Sequence, residues 1–560
     1  TPSSASSSTD RRKVTHSFWV KRGALGSQQT LYSANKSGGG DYYLFAFINN
    51  DKLRLILDVD DSNFGYDTSA VFRDTSAWYN IVCIIDTTQS AVSDRVKIYV
   101  NGVLQTISNV YGSNVSQNFE TYVMDGDEDE VGRFAFTDGS YFDGYMSEVI
   151  TTIGQDNTIS QFGELKNGVW IPIKYSGNFG GNGFRLEFKQ TGTGTASAST
   201  IGADTSGNNN HWTSSGIVAS DCNIPDSPEN NMCTLNATGR RYGHSYSGTF
   251  SEGNLKFASS GNASMAFGTM AINQIASQGG VYFEVRLDST DGNRTYGGLI
   301  GDNGANNKNS SSNGASYSFP IKGLIGLMGS PRGYFNTATD ASGSLDLTAN
   351  TGFSNGDVVG FAILSDGKFF CHRNGTYMTN ADGNTGNPST GANPIATIDL
   401  TLGDWVAHVG YNSTLSVNFG QDGSFQGNET SGGNQDANGI GDFMFAVPTN
   451  CLAICSSNMA EPTIGPNSEN GTADDYFNTV LYTGNGYPTS DGQTISGVGF
   501  QPDWVWLKTR SLTHNHSVYD SSRGATKELS TNVTTAEATE GSFLTAFNSD
   551  GFVLGSGNEV

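Results

Sequence analysis

Most apolar side chains of this chain fall on alternate positions of short segments, which is the two-residue period of a β-strand. Residues 14–20 alternate in this way, and so do residues 96–100. The second segment ends at Asn101-Gly102, a dipeptide typical of a tight hairpin turn. The run Trp78–Asp86 is apolar on both faces, as expected for a central strand. The pattern predicts an all-β chain of antiparallel strands joined by tight turns.

The predicted strands form groups that are separated by stretches rich in Gly, Asn, Ser and Thr. The first two groups are each large enough for an antiparallel sandwich, and the second has hairpin turns at Asp366-Gly367 and Asn374-Gly375. The last group stops within a module, which we expect to be truncated. The predicted organisation is a polar leader (1–13), a first sandwich (14–153), a connector (154–240), a second sandwich (241–425), a linker (426–446) and a β-rich C-terminal module (447–560).

Two short segments resemble each other. Residues 227–236 and 447–458 both place Pro, Asn and Cys just after a polar stretch. We expect them to be similar junctions, the first opening the second sandwich and the other opening the C-terminal module.

Composition supports the prediction of strands and turns. Glycine accounts for 72 of the 560 residues, aromatic residues for 11% and charged residues for only 15%. The net charge is −24, which disfavours binding to nucleic-acid phosphates and to anionic membrane surfaces. No apolar run of about 18 residues occurs, so we expect no membrane insertion. We therefore predict that the chain binds no nucleic acid and does not insert into a membrane.

The six cysteines contain no C-x-x-C pair, so neither a zinc ribbon nor a thioredoxin-type motif is indicated. Cys83 and Cys371 lie inside predicted strands, where we expect them to be buried. A disulfide between Cys222 and Cys233 or between Cys451 and Cys455 remains an alternative, because spacing alone does not determine the pairing.

The acidic run 125–130 is the sharpest cluster of charge in the chain. Closely spaced carboxylates suit Ca²⁺, which takes six to eight oxygen ligands, and the candidate ligands are Asp125, Asp127 and Asp129. The run does not follow the EF-hand loop pattern, and a solvated acidic loop is the alternative.

The same run raises the question of a glycosidase. Glu128 and Glu130 lie two residues apart, about 6.6 Å along a strand, and a retaining glycosidase needs two carboxyl groups about 5–5.5 Å apart. Their neighbours are acidic, without an aromatic platform for a sugar. No Ser-His-Asp motif, phosphate-binding Gly loop or H-E-x-x-H motif occurs. We therefore expect a protein that is not an enzyme.

Two other groups of residues are weaker candidates. His514 and His516 could hold a transition metal from one strand face, or they are exposed loop histidines. Long loops are expected at residues 303–318 and 330–350, and the second contains Arg332, Tyr334 and Phe335, which suit sugar binding or ordinary loop packing.

Three segments of the first sandwich resemble laminin-G, concanavalin-like domains. They are FWVKRG (18–23), WYNIVCIID (78–86) and VKIYVNG (96–102). The resemblance implies a concanavalin-like jelly roll, a fold in which Ca²⁺ often lies at a rim of the sandwich.

Five segments of the second sandwich resemble a SPRY domain and occur in the order of that family. They are GVYFEVRL (280–287), GGLIGD (297–302), GDVVGFAIL (356–364), FFCHRNGTY (369–377) and VNFGQ (417–421).

Residues 475–486, 499–510 and 520–526 resemble a segment common in marine bacteriophage structural proteins. The resemblance implies a tail-fibre or appendage protein on the virion surface, made in the host cytoplasm. Its partners would be other virion proteins and host cell-surface glycans, and it would be a homotrimer. The alternatives are a capsid-decorating structural protein without host binding and a polysaccharide-degrading enzyme.

Overall fold

The computed structural model divides the chain into two compact units, which are described separately. One comprises Thr1–Glu164 with Trp170–Ala460, and the other Leu165–Val169 with Glu461–Val560. The structure describes residues 10–36, 40–59, 62–125, 128–166, 169–238, 248–259, 265–289, 296–301, 324–327, 332–336, 342–346, 353–401, 404–410, 412–460, 473–485 and 492–557.

The first sandwich consists of two antiparallel six-stranded sheets. Its strands are β1 (Lys13–Arg22), β2 (Gln29–Asn35), β3 (Tyr42–Phe47), β4 (Leu53–Val59), β5 (Ser62–Thr68), β6 (Tyr79–Asp86), β7 (Val96–Val100), β8 (Val103–Leu104), β9 (Ile107–Gly112), β10 (Glu128–Val131), β11 (Gly144–Ile153) and β14 (Phe184–Leu186). The strand order is β14-β11-β1-β6-β7-β8 in the first sheet and β10-β2-β3-β4-β5-β9 in the second.

The core of this sandwich is formed by the side chains that point from each sheet toward the other sheet. Phe18 of β1 and Phe45 of β3 face each other across the two sheets, with their ring centroids 6.2 Å apart. The predicted hairpin between β7 and β8 is confirmed, because both turn residues have positive φ, 47° at Asn101 and 77° at Gly102. The all-β prediction is likewise confirmed.

The connector is packed onto the first sandwich. Its strand β14 pairs with β11 at the edge of the first sheet, and Trp212 is buried in the sandwich core. Phe162 and Tyr175 pack against Val82 on the outer face of the same sheet. The outer face of the first sheet is therefore covered. Two further short strands lie in this region, β12 (Gly163–Lys166) and β13 (Val169–Pro172).

A buried ion pair joins the first sandwich to the end of the connector. The Nζ of Lys21 donates to Oδ2 of Asp226 at 2.9 Å and to the carbonyl oxygen of Met232 at 2.7 Å. The indole N–H of Trp78 donates to the other oxygen of Asp226 at 2.9 Å. Both charged side chains are almost completely excluded from solvent. The hydroxyl of Tyr145 adds a bond to the carbonyl oxygen of Gly253, at the start of the second sandwich.

The second sandwich also has two antiparallel sheets. Its strands are β15 (Gly248–Ser251), β16 (Lys256–Ser259), β17 (Met265–Ala271), β18 (Val281–Ser289), β19 (Tyr296–Gly301), β20 (Leu324–Leu327), β21 (Arg332–Asn336), β22 (Ser342–Asp346), β23 (Val358–Ile363), β24 (Lys368–Arg373), β25 (Thr376–Tyr377), β26 (Ala396–Thr397), β27 (Trp405–Gly410) and β28 (Thr414–Asn418). The strand order is β15-β16-β28-β18-β23-β24-β25, with β26 paired to β24, in one sheet and β17-β27-β19-β20-β21-β22 in the other.

The residues from 426 to 446 do not form the predicted linker, because two buried carboxylates hold them against the second sandwich. Glu284 accepts the backbone N–H groups of Met444 at 3.1 Å and Phe445 at 2.8 Å. Asp436 accepts backbone N–H groups of its own turn and that of Ala453 at 2.9 Å. Burial raises the pKa of Glu284 to about 7.

The two segments expected to open separate modules pair with each other. Met232 and Cys455 form an antiparallel bridge. The N–H of Ser456 donates to the carbonyl oxygen of Asn231 at 2.8 Å. Leu452 also pairs with Val281 in β18 and is buried in the core of the second sandwich. Residues 447–460 thus belong to the second sandwich rather than to the C-terminal module, whose unit begins at residue 461.

The C-terminal unit has two small antiparallel sheets. Its strands are β29 (Gln493–Ser496), β30 (Trp504–Leu507), β31 (Ser517–Asp520), β32 (Lys527–Ser530), β33 (Ala538–Thr539), β34 (Leu544–Asn548) and β35 (Gly551–Leu554). The strand order is β29-β35-β34 in one sheet and β30-β31-β32-β33 in the other. Val505, Tyr519 and Leu544 are among the residues of its core.

Helices are short throughout the part of the chain that the structure describes, and none is long and apolar enough to cross a membrane. They are α1 (Asn273–Ala276) and the 3-10 turns Val92–Asp94, Ala135–Thr137, Ile159–Gln161, Ala219–Asp221, Ser456–Asn458 and Ala473–Asp475.

Candidate functional site

The outer face of the second sheet of the first sandwich carries two exposed rings, Tyr111 and Phe136, beside charged side chains that are partly or fully buried. Side chains of a strand alternate between faces, so Tyr43 and Phe45 of β3 enter the core while Tyr42 and Leu44 point outward. The register places Tyr42 opposite Asp58 of β4. We call this surface the open face, and its residues are Tyr42, Leu44, Ala46, Arg54, Ile56, Asp58, Gly65, Asp67, Tyr111, Phe134 and Phe136. Leu44, Ala46, Ile56 and Phe134 form a buried apolar floor beneath the exposed rings of Tyr111 and Phe136.

One side of the open face is a group of stacked rings. Tyr42 and Phe136 lie with their ring centroids 5.0 Å apart and their planes inclined by 28°. Phe134 contacts Tyr42 edge-on at 5.3 Å. The turn that carries the two phenylalanines is fixed by Ser33, whose Oγ accepts the N–H of Ala135 at 3.1 Å. Phe136 nevertheless remains 44% exposed.

The other side of the open face is an ion pair beside a tyrosine. The guanidinium of Arg54 donates to both carboxylate oxygens of Asp67, at 2.6 and 2.8 Å, in a bidentate arrangement. Its third nitrogen donates to the hydroxyl of Tyr111 at 2.9 Å. The hydrogen bond that Arg54 donates to Asp67 raises the pKa of Arg54 above its ordinary value. The pair is therefore charged but internally neutralised.

Gly65 gives Tyr111 the space that it occupies. The two residues face each other in the pairing of β5 with β9, and a Cβ atom at Gly65 would lie 2.3 Å from Cδ2 of Tyr111. Only a residue without a side chain lets the ring lie across the strand at this point. Tyr111 is 41% exposed in that position.

The chemistry of the open face suits an uncharged polar ligand. Burial, followed by the charge of Asp58, raises the pKa of Tyr42, so its hydroxyl stays protonated and can donate a hydrogen bond. Aromatic faces pack against C–H surfaces, while Tyr hydroxyls, Asp58 and the Arg54–Asp67 pair offer donors and acceptors. Sugars combine these two kinds of surface.

Of the three predicted calcium ligands, the structure describes Asp125 and Asp129. Asp129 is buried inside the first sandwich, where its Oδ1 accepts the hydroxyl of Tyr32 at 2.6 Å and the N–H of Met124 at 2.9 Å. Burial raises its pKa to about 7. Asp125 is half-buried, and Asp127 lies outside the described residues. Within those residues no three His, Cys, Asp or Glu side chains are grouped to hold a metal ion, and the calcium site stays a prediction.

The remaining sequence candidates lie elsewhere. Glu128 and Glu130, the candidate pair for a glycosidase, both form ion pairs with Arg133. His516 contacts the ring of Trp506.

Arg332, Tyr334 and Phe335 were expected in a long loop. That expectation was wrong for their backbone, which forms strand β21 and pairs with β20 and β22. The sequence around Gly333 is compatible with a loop or with a strand, and pairing with β20 and β22 makes it a strand. The loop expected at 303–318 lies outside the described residues.

The sequence matches two family models. Residues 2–150 match the concanavalin A-like lectin/glucanases superfamily, and residues 472–560 match a domain of unknown function (DUF7483). A search of curated proteins found no match.

Several solved structures are similar at low identity. A protein from Bacteroides ovatus shares 17% identity over 36% of this chain, with a TM-score of 0.26, and the match spans about half (51%) of that protein. The CBM40 of the Ruminococcus gnavus IT-sialidase, bound to alpha2,3 sialyllactose, shares 16% over 26% of this chain and 78% of its own, with a TM-score of 0.21. Domains LG4-5 of the mouse laminin alpha1 chain share 9% over 74% of this chain and 84% of their own, with a TM-score of 0.21.

The family match to residues 2–150 covers the strands of the two sheets except β14 and the last residues of β11. The first sandwich of this chain is a concanavalin A-like domain.

Proposed function

We propose that the chain is a carbohydrate-binding protein, and that the open face of its concanavalin A-like domain holds the glycan. The observation that supports this is that two exposed rings, Phe136 and Tyr111, lie on the same sheet face as the bidentate Arg54–Asp67 pair. A sugar ring packs its C–H face on an aromatic side chain, and its hydroxyls bond to charged groups that already have fixed positions.

The preferred glycan is neutral. Arg54 is already neutralised by Asp67, so it offers no free positive charge to a carboxylate or a sulfate. Asp58 lies on the same face, and the whole chain carries a net charge of −24. Both features repel anionic sugars, most strongly at low salt.

A glycan array probed with the full chain tests this function. The expected result is binding to neutral glycans, weakened about tenfold or more in Tyr111→Ala because an interface aromatic is removed. Tyr476→Ala is the matched control, since it also removes an exposed tyrosine, in the other unit. Equal binding by the wild type and Tyr111→Ala would remove the open face from the proposal.

The chain is further proposed to act as a structural component of a phage virion, in a tail fibre or appendage, as a homotrimer on the particle surface. The support is the resemblance of residues 475–486, 499–510 and 520–526 to phage structural proteins. Immunogold labelling of particles and analytical ultracentrifugation would test location and assembly. A label confined to the capsid shell, without glycan binding, would favour a decorating protein instead.

The function proposed is binding without catalysis. Glu128 and Glu130 both form ion pairs with Arg133, which supports a structural role for these carboxylates. Release of reducing sugar from a bound polysaccharide, abolished by Glu128→Gln, would contradict this part of the proposal.

A further inference from the structure

The C-terminal unit exposes two tryptophans in a chain that buries nearly all the others. Trp504 is 48% exposed and Trp506 is 53% exposed, whereas Trp19, Trp78, Trp212 and Trp405 are buried and Trp170 is half-buried. A half-exposed tryptophan leaves a large apolar area in water, and two on one strand are unusual for a protein of this composition.

The pleat of β30 fixes the direction of both rings. Val505 and Leu507 alternate with the tryptophans and are buried in the core of the unit. Trp504 and Trp506 must therefore share the opposite face, and a rotamer change cannot move either ring into the core. The exposed position is a property of the strand register.

The rings are held in place by their neighbours. Their centroids lie 6.0 Å apart with planes inclined by 67°, and the ring of His516 lies 5.6 Å from Trp506. Val518 stands opposite Trp506 in β31 and is buried although it is on the outer face. Rings that are already ordered lose little conformational entropy when a ligand packs on them.

Polar groups border the two rings. Asp520 stands opposite Trp504 and is bonded by Arg523 at 2.5 Å. On the third strand, Lys527 donates to the hydroxyl of Thr539 at 2.7 Å. Aromatic faces beside an internally neutralised ion pair repeat the chemistry of the open face on a different fold unit.

We propose that this surface, the Trp504–Trp506 face, is a second carbohydrate-binding site, which takes a soluble neutral oligosaccharide. The four strands are only two to four residues long, so the sheet alone supplies fewer residues than the about 20–30 per partner of a stable protein interface, and its size favours a small ligand. The inclination of the rings selects a twisted glycan chain, since both cannot lie flat on a planar crystalline polysaccharide.

Acrylamide quenching of tryptophan fluorescence tests this site directly in the full chain. The two exposed tryptophans dominate the quenchable signal, so a bound sugar protects them. The probes are laminarihexaose, maltohexaose and mannohexaose, with microcrystalline cellulose as the planar reference. The expected result is that at least one soluble hexasaccharide removes most of the quenchable fluorescence, while cellulose retains little of the protein.

Variants separate this site from the open face. By calorimetry, Trp504→Ala/Trp506→Ala should weaken hexasaccharide binding about tenfold or more, whereas Trp504→Phe/Trp506→Phe should retain most of it. Tyr111→Ala should leave the fluorescence protection unchanged. If Tyr111→Ala has no effect on the glycan array while the tryptophan variant does, the proposed open-face function fails and the Trp504–Trp506 site stands.

Three results would overturn the proposal. One is that no hexasaccharide protects the tryptophans. Another is that binding persists undiminished in Trp504→Ala/Trp506→Ala. The last is that quenching falls as protein concentration rises without sugar, which would make this surface a contact between copies of the chain.

Discussion

The backbone N–H of Cys233 donates to the carbonyl oxygen of Ile454 at 2.9 Å, although the whole second sandwich lies between them in the chain. Cys233 and Ile454 are both fully buried in the core of that sandwich. The segment that enters the second sandwich and the segment that leaves it therefore complete the same core. The end of the folded sandwich lies near Ala460, and not at the glycine-rich stretch before residue 447.

This boundary can be tested with two fragments. A fragment of residues 1–460 should remain folded, whereas residues 1–446 should lose the side chains of Leu452 and Ile454 from the core and expose apolar surface. Limited proteolysis and soluble yield measure the difference. Equal resistance of the two fragments would show that residues 447–460 contribute nothing to the second sandwich.

Removing the cation of the buried ion pair should destabilise the larger unit strongly. Lys21→Met leaves the carboxylate of Asp226 buried without its partner, and we expect a loss of about 3–5 kcal/mol in the free energy of unfolding. Urea denaturation measures it. Lys13→Met is the matched control, because Asp156 is largely exposed and such pairs contribute about 0–1 kcal/mol. A similar effect for both variants would contradict the structure.

Asp129 should make stability fall as the pH rises. Its folded pKa of about 7 lies above the ordinary value near 4, so the folded state keeps a proton that the unfolded state releases. The free energy of unfolding contributed by this group decreases between about pH 4 and 7 and is constant above. Asp129→Asn keeps the acceptor oxygen for Tyr32, and should gain stability relative to wild type by a few kcal/mol from pH 5 to pH 8. A difference in stability between Asp129→Asn and the wild type that stays constant from pH 5 to pH 8 would contradict the raised pKa of Asp129.

Gly65→Ala should displace Tyr111 without unfolding the domain. The new Cβ would lie 2.3 Å from the ring and 3.1 Å from its Cβ, so the tyrosine has to leave its position. We expect neutral-glycan binding to weaken about tenfold, with a loss of stability of roughly 1–3 kcal/mol. Gly541→Ala is the control, because a Cβ atom added there would have no other atom within 4 Å. Unchanged glycan affinity in Gly65→Ala would argue against the role of Tyr111.

All six cysteines are free and buried, so the folded protein should be nearly inert to thiol reagents. Burial raises the pKa of Cys451 to about 12 and that of Cys455 to about 11, which suppresses the reactive thiolate. A colorimetric thiol assay should find slow reaction in buffer and six thiols in denaturant. Four thiols in denaturant would reveal a disulfide that the structure does not contain.

The strands were predictable because their signal is local. Alternation and Asn-Gly turns are written into consecutive residues, and the hairpin at Asn101-Gly102 has the positive φ angles that this dipeptide favours. The all-β class followed from the same pattern.

The region 426–446 was misread because its contacts are distant in sequence. Gly and Asn are typical of linkers, yet here they form turns that buried carboxylates hold. Glu284 bonds to Met444 and Phe445, and no local pattern reveals that this strand residue is their acceptor.

The open face was missed for a related reason. The segment 42–47 is apolar on both faces and predicts only a central strand, which gives no hint that Tyr42 is outward. The position of the Tyr111 ring depends on Gly65 standing opposite it, and this pairing is set by the register between β5 and β9. The one available signal was Arg54, a single cation within an apolar strand.

The segments that enter and leave the second sandwich run side by side, so its first and last residues lie close together in space. Such a module can be lengthened, exchanged or removed during evolution with little displacement of the flanking polypeptide. Tension along the chain would load the bonds between Asn231 and Ser456 one after another, so this point should yield early when the protein is stretched.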